Sequence, residues 1–360
     1  MGVLTALCVT ARYESLFLVF SAVAIALVRR RFVVSLILVF GAAAPLILFG
    51  LIWVRNGGWF LPNSLILKRK LAERNGLAEK IFDLTKNTYF NLKQTAIKDG
   101  FGIMIFALVG FLIAAARRRD TLPSSFPVVF AICALGATAG HFIFASVGWL
   151  YRYESWLIFL DLTAVGLLAQ SLLKPKLIIL VAIAIIGTFT DRTVNSTLDV
   201  AWAMADRRLE HIAPAEFLDR FYPDKTIMAS DVGAVAWFAP TTTVLDIFGL
   251  GSNEPVRRLM SPAGYHANDV SEWAARSGAR IAILEVCSAI ADLVPDQWPL
   301  VGIVHIPRNV VFRDRIVAFF AIAPGEEATL QRNLQSFSFP ESVSLLINPP
   351  RSEMTRRCWQ

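Results

Sequence analysis

Residues 32–54 form an unbroken apolar run, and no other feature constrains this chain more. As helix, about 23 residues rise roughly 35 Å, enough to cross a bilayer core even with Pro45 inside the run. The ends of such runs carry the second signal. Arg29-Arg30-Arg31, Arg117-Arg118-Arg119 and Lys174-Pro175-Lys176 each lie at the end of an apolar run, the pattern of short cytoplasmic loops. This clustering accounts for the net charge of +7 without nucleic acid as a partner. With 55% hydrophobic and 18% charged residues the chain is also too apolar for an ordinary soluble protein, whose charged fraction is nearer a quarter. The expectation is a multi-pass integral membrane protein.

Taken in order, the run 3–28 is interrupted by Arg12 and Glu14, so its inserted part is 15–28, passing inward to the triple arginine. The N-terminus is then outside, although Met1-Gly2-Val3-Leu4 lacks the basic start and small-residue cleavage site of a secretory signal. The run 32–54 returns outward to an outer loop, 55–100, where Leu71, Leu77, Ile81 and Leu84 suggest amphipathic helices lying along the surface. Residues 101–116 pass in, 126–150 out, 156–173 in and 177–189 out. The fold class expected is an α-helical polytopic domain over 1–190, of about six transmembrane helices, followed by a small extracytoplasmic α/β domain.

Composition changes at Asp191, after which carboxylates and prolines appear and no run is long enough to span. Residues 226–230, 243–247, 280–285, 300–306 and 316–322 read as buried strands, with helices at 213–221 and 269–277 between them. Alternation of this kind predicts an α/β domain over 191–325. The tail 326–360, with Pro349-Pro350 and Arg356-Arg357, is expected to be loosely ordered. Among the cysteines only Cys287 and Cys358 could meet in a soluble compartment, and no disulfide framework is expected.

Charges beside or within spans cost about 2.5–3.5 kcal/mol at mid-helix and are therefore candidates for function. Here they are Arg12, Glu14, Arg152, Glu154, Asp161 and His141. The stretch from Gly148 to Trp156 sets Arg152 and Glu154 between two apolar runs, and its Arg-Tyr-Glu-Ser repeats Arg12-Tyr13-Glu14-Ser15. For both arginines the simpler reading is snorkelling to head groups or pairing with the nearby glutamate. The sharper one is bidentate capture of the phosphate of a lipid-linked substrate. Asp161 lies two turns beyond Glu154 on the same helix face, and His141 reads as an interhelical hydrogen-bonding residue. In the α/β domain Asp231 and Asp246 follow predicted strands and are followed by glycines, which suits a binding crevice but equally suits turn chemistry. Walker, dinucleotide, metal-ligand and Ser-His-Asp patterns are absent, so neither cofactor nor metal is expected.

Arg12-Tyr13-Glu14, Leu61-Pro62-Asn63-Ser64 followed by Lys68, Arg152-Tyr153-Glu154, Ser230-Asp231-Val232-Gly233-Ala234 and Asp246-Ile247-Phe248-Gly249-Leu250 together resemble the polytopic GT-C glycosyltransferases of bacteria, including the protein mannosyltransferase-like and arabinofuranosyltransferase-like enzymes. The resemblance implies transfer of a sugar from a polyprenyl-phosphate donor, at the outer face and with inversion, to a glycan, lipid or protein acceptor. It makes Arg12, Lys68, Arg152, Glu154, Asp161, Asp231 and Asp246 the candidate substrate-binding residues. Such enzymes take their base from an acidic residue in the first outer loop. That loop would lie upstream of Met1, so the chain is expected to be the C-terminal two thirds of such an enzyme, without its catalytic carboxylate unless Glu14 or Asp161 substitutes. The rivals are a non-enzymatic membrane-anchored binding or assembly protein of the cell envelope and a transporter. A transporter should carry an inverted repeat, of which only the Arg-Tyr-Glu-Ser echo is visible.

Overall fold

In a computed structural model the described residues are all except 71–76, 99, 118–124, 146, 149–151, 288–289, 307–308, 311–314 and 359–360. Side chains at 68–70, 77–83 and 96–98 also lie outside the description. The chain divides into two compact units, Met1–Asn56 with Ala72–Thr197, and Gly57–Leu71 with Leu198–Gln360.

The first unit is helical. The run 3–28 breaks into α1 (Gly2–Ala11) and α2 (Leu16–Val28) around a 3-10 turn at Tyr13–Ser15. Arg12 is extended there, which keeps the charged Arg12 and Glu14 out of an apolar helix. α3 (Phe32–Arg55) keeps Pro45 within it. α4 (Asn63–Lys70) belongs to the second unit, so the expected outer loop is shared between units. α5 (Leu77–Asn91) packs on α7 (Phe126–Phe144), with Asn91 Nδ2 donating to the carbonyls of Phe142 and Ala145 at 2.9 and 2.8 Å. It is thus helical and tied at its end to α7, in the segment where the sequence suggested amphipathic helices lying along the surface. α6 (Phe101–Arg117) and α8 (Ser155–Leu172) complete the buried centre with α7, through Phe101, Leu108, Ala131, Ala134, Leu157 and Leu168. α2 approaches α7 closely, because a Cβ on Gly140 would lie 2.7 Å from the Phe17 ring. Small residues at such crossings are the usual means of packing helices in lipid.

Four helical stretches are long and apolar enough to cross a membrane: Phe32–Arg55, Phe126–Phe144, Ser155–Leu172 and one starting at Pro175. Gly2–Ala11, Tyr13–Val28 and Phe101–Arg117 are shorter apolar helices. On α3, Val33, Phe40, Leu48 and Leu51 point away from protein, as lipid-facing residues do. The boundary at Asp191 needs correction. α9 (Pro175–Arg207) continues through it without a break, since no glycine or proline stands between Thr188 and Arg207 to end a helix.

The second unit is built on a six-stranded mixed sheet, β1 (Thr226–Ala229), β2 (Thr243–Asp246), β3 (Ile281–Glu285), β4 (Leu300–His305), β5 (Ile316–Ala321) and β6 (Ser344–Ile347), in the order β2-β1-β3-β5-β4-β6. β2, β1 and β3 run parallel; β5, β4 and β6 join antiparallel. Side chains alternate between the faces as strand geometry dictates. Ile227, Ile283 and Phe319 pack with Phe217 and Leu218 of α10 (Ala213–Phe221) and Leu330 of α14 (Glu326–Ser336). Met228, Ala282 and Phe320 pack with Val270 and Trp273 of α13 (Ala267–Arg276). Two short helices, α11 (Gly233–Phe238) and α12 (Asn253–Leu259), follow β1 and β2.

The tail expected to be loose is part of this unit. It supplies α14, the edge strand β6 and α15 (Ser352–Cys358), and Cys358 is bonded to Cys287. That single bond joins the one pair that the sequence left able to meet, where no disulfide framework was expected. A tail rich in prolines and arginines reads as disordered, but Leu330, Leu334 and Leu346 give it an apolar side that only a sheet face can bury.

Candidate functional site

The two Arg-Tyr-Glu-Ser stretches have identical sequences and different structures. Arg12 Nε lies 3.7 Å from Glu14 Oε2, both partly exposed, beside a cavity of about 260 Å³ lined by Val9, Thr10, Tyr13, Pro45, Leu46 and Phe49. Arg152 does not pair with Glu154. Its guanidinium is exposed and lies 5.3 Å over the Tyr153 ring, whereas Glu154 is fully buried. Glu154 Oε1 receives Arg192 Nη2 and Oε2 receives the Gly148 N–H, each at 2.9 Å. Gly148 has φ +89°, a conformation that costs glycine little. Arg152 is thus left exposed because Arg192 of α9 supplies the partner of Glu154.

Deeper in the same unit, Thr138 Oγ1 donates to Asp161 Oδ2 at 2.8 Å and both residues are buried. Asp161 Oδ1 accepts no hydrogen bond among the described residues. His141 is buried edge-on to Trp156, with ring centres 5.9 Å apart. The side chain of Lys68 lies outside the described residues.

In the second unit the parallel strands end at one edge of the sheet, and each brings a carboxylate there: Asp231 just beyond β1, Asp246 at the end of β2 and Glu285 at the end of β3. The two sequence candidates then behave differently. Asp246 turns inward on its own loop, its oxygens accepting from Phe248 N at 2.8 Å and Gly251 N at 2.7 Å. Burial raises its pKa and these backbone N–H groups oppose the rise. Gly249 in this loop has φ +90°, and a Cβ there would lie 2.9 Å from Pro255 Cβ. The loop accepts Asn63, whose Nδ2 donates to the Gly249 carbonyl at 2.9 Å and to Asn253 Oδ1 at 3.1 Å. The carboxylate of Asp246 is therefore engaged in holding a loop, the turn chemistry that the sequence offered as its alternative.

Asp231 faces a cluster that sequence reasoning missed. Its Oδ2 lies 3.4 Å from His211 Nδ1, which is also 3.4 Å from Glu285 Oε1. On the other side of the ring Nε2 lies 3.0 Å from Arg207 Nη1 and 3.6 Å from Glu210 Oε2. Glu210 and His211 sit on a π turn, Arg208–Ile212. Pro214 offers no N–H to the carbonyl of Glu210 and its ring crowds that carbonyl, so the helix widens there. Ligand atoms of Glu210, His211 and Glu285 come within 4.8 Å of one another, close enough for a metal ion by distance. The guanidinium of Arg207 speaks against one: as a donor to Nε2 it places the ring proton on Nδ1, toward Asp231 and Glu285, and puts a cation where an ion would bind. The arrangement is a histidine held between carboxylates and an arginine. Proline at 214 was the only local signal, because the adjacent Glu210 and His211, Asp231 after β1 and Glu285 at the end of β3 come from three separate places in the chain.

Residues 201–320 match a protein family described as a domain of unknown function, DUF8728. The matched stretch contains His211, Asp231, Asp246 and Glu285. No curated protein and no solved structure matches the chain.

Proposed function

We propose that the protein is a multi-pass glycosyltransferase of the GT-C kind, with six spans, its α/β unit outside the bacterial inner membrane, and a polyprenyl-phosphate-linked sugar as donor. One observation carries the reading. Leu61-Pro62-Asn63-Ser64 and Asp246-Ile247-Phe248-Gly249-Leu250, two widely separated stretches of the resemblance, are joined through the hydrogen bond from Asn63 to Gly249. Chance matches scattered along a chain have no reason to meet. The disulfide between Cys287 and Cys358 favours the outer side, since such bonds persist in oxidising compartments. The fully buried Glu154, at the N-cap of α8, and Asp161 within it add support, because carboxylates buried in or beside apolar helices are costly and are retained for function.

In the reaction proposed, an acceptor hydroxyl oxygen attacks the anomeric carbon of the sugar as the carbon–oxygen bond to phosphate breaks. The polyprenyl phosphate leaves with the electron pair, and the hydroxyl proton passes to Glu14. Arg152, exposed and in no ion pair among the described residues, meets the phosphate with its two-pronged guanidinium. The test is saturable binding of radiolabelled polyprenyl-phosphate pentoses and hexoses to the purified chain in lipid nanodiscs, followed by transfer with Glu14→Gln beside it. Binding that weakens tenfold or more in Arg152→Lys, which keeps the charge and loses the fork, is the expected result. Absence of saturable binding for every donor in the series would remove the glycosyltransferase reading.

A further inference from the structure

We propose that the loop edge of the α/β unit, carrying Trp59, Phe60, Leu61, Phe248 and Leu250, is a lipid-binding surface that inserts into the head-group layer of the membrane crossed by α3. These five side chains are large and apolar, yet 38–52% exposed. Exposed apolar side chains that are contiguous on a folded unit mark an interaction surface. They are brought to one edge by hydrogen bonds within the unit. Asn63 is bound to the Gly249 carbonyl, and Arg257 Nη2 donates to the Gly57 carbonyl at 2.9 Å, so 57–63 lies along the loop that follows β2. Val232, which leads into α11, adjoins the same loop at Gly251, and Trp237 on α11 is 79% exposed.

The chain itself identifies what covers this edge. Gly57 follows Val54, the last residue of the apolar run of α3, by three residues, so no more than about 10 Å of chain separates them. An edge tethered that closely to the end of a span meets the lipid surface before it meets any other partner. Its composition agrees, since tryptophan and phenylalanine beside arginine are the residues that settle at the boundary of head groups and acyl chains. Arg55, the residue after Val54, is itself exposed at the end of the span.

The experiment uses the full chain with Cys8 and Cys133 replaced by serine and the native disulfide kept. Leu250→Cys, Phe60→Cys and, as a control before β1 at the opposite sheet edge, Lys225→Cys are each labelled with an environment-sensitive fluorophore. The proteins are reconstituted into vesicles of phosphatidylcholine and phosphatidylglycerol containing a lipid spin-labelled near its head group. The expected result is blue-shifted emission at 60 and 250, quenched at least twofold by the spin-labelled lipid, with neither effect at 225. All three positions are exposed, so the substitutions leave the core alone. Quenching absent at 250 overturns the proposal. A blue shift without quenching also overturns it, because it assigns the surface to a protein contact. Neither outcome touches the glycosyltransferase reading, which is decided by donor binding.

Discussion

The side-chain amide of Asn63 donates to the carbonyl oxygen of Gly249 across 186 residues of chain, at 2.9 Å and out of solvent. A buried carbonyl that loses its donor costs about 1–3 kcal/mol, so Asn63→Leu should lower the melting temperature of the purified protein by several degrees. Asn63→Asp should be worse, since it sets a carboxylate against the carbonyls of Gly249 and Ser252. An aspartate variant that melts with the native protein would mean that the loop and the 57–63 segment are not joined.

The ion pair of Glu154 with Arg192 makes a second prediction. Glu154→Gln takes from Arg192 the carboxylate that receives its Nη2, and breaking a buried pair from one side costs roughly 3–5 kcal/mol. Glu154→Leu with Arg192→Met should recover most of that loss, because apolar residues of similar size often replace a buried pair at little cost. Thermal melts of the single and double variants in one detergent measure it. Equal losses in the two would assign the effect to packing.

The disulfide closes a separation of 71 residues, for which the chain-entropy account gives about 4 kcal/mol of stabilisation. Cys358→Ser should therefore lower the melting temperature markedly, and reductant should have no further effect on that variant. Alkylation of intact cells followed by non-reducing electrophoresis examines the compartment at the same time. Free thiols at Cys287 and Cys358 in freshly blocked cells would place the α/β unit on the reducing side.

Alkaline pH tests the buried end of α10. Tyr222 donates to Glu326 Oε1 at 3.0 Å, and burial, then the charge of Glu326, raises its pKa well above the ordinary tyrosine value. The folded form thus holds its proton more tightly than the unfolded chain does. Stability is unaffected below about pH 10, where the phenol is neutral in both states, and falls as pH rises further and only the unfolded chain ionises. Denaturant midpoints measured from pH 8 to 11 should show this decline, shallower in Tyr222→Phe. An unchanged slope in the phenylalanine variant would assign the decline to other groups, Tyr265 first among them, whose pKa burial also raises.

How far these residues could be read in advance follows from where their partners lie. The strands at 226–229, 243–246, 281–285, 300–305 and 316–321 were legible because each is a short β-branched and aromatic run bounded by turn residues. β6 was not, since Ser344 to Ile347 carries no stronger signal than a loop until β4 pairs with it. The break between α1 and α2 was legible from Arg12 and Glu14, whereas the continuation of α9 through Asp191 was hidden by a change in composition that alters solvent and leaves helix propensity intact.

The sequence by itself determined that the first part of the chain is built of apolar helices and the later part of alternating strands and helices, because hydrophobic periodicity is a local property that each segment carries alone. Tertiary structure decided which arginine meets Glu154, that Asp246 serves its loop while Asp231 faces His211, and that Cys358 reaches Cys287. Those are relations between side chains far apart in the chain. The two Arg-Tyr-Glu-Ser stretches make the reason plain: the same four residues pair internally at Arg12 and Glu14, but at Arg152 and Glu154 they yield to Arg192, because only there does another helix bring a buried guanidinium within 2.9 Å.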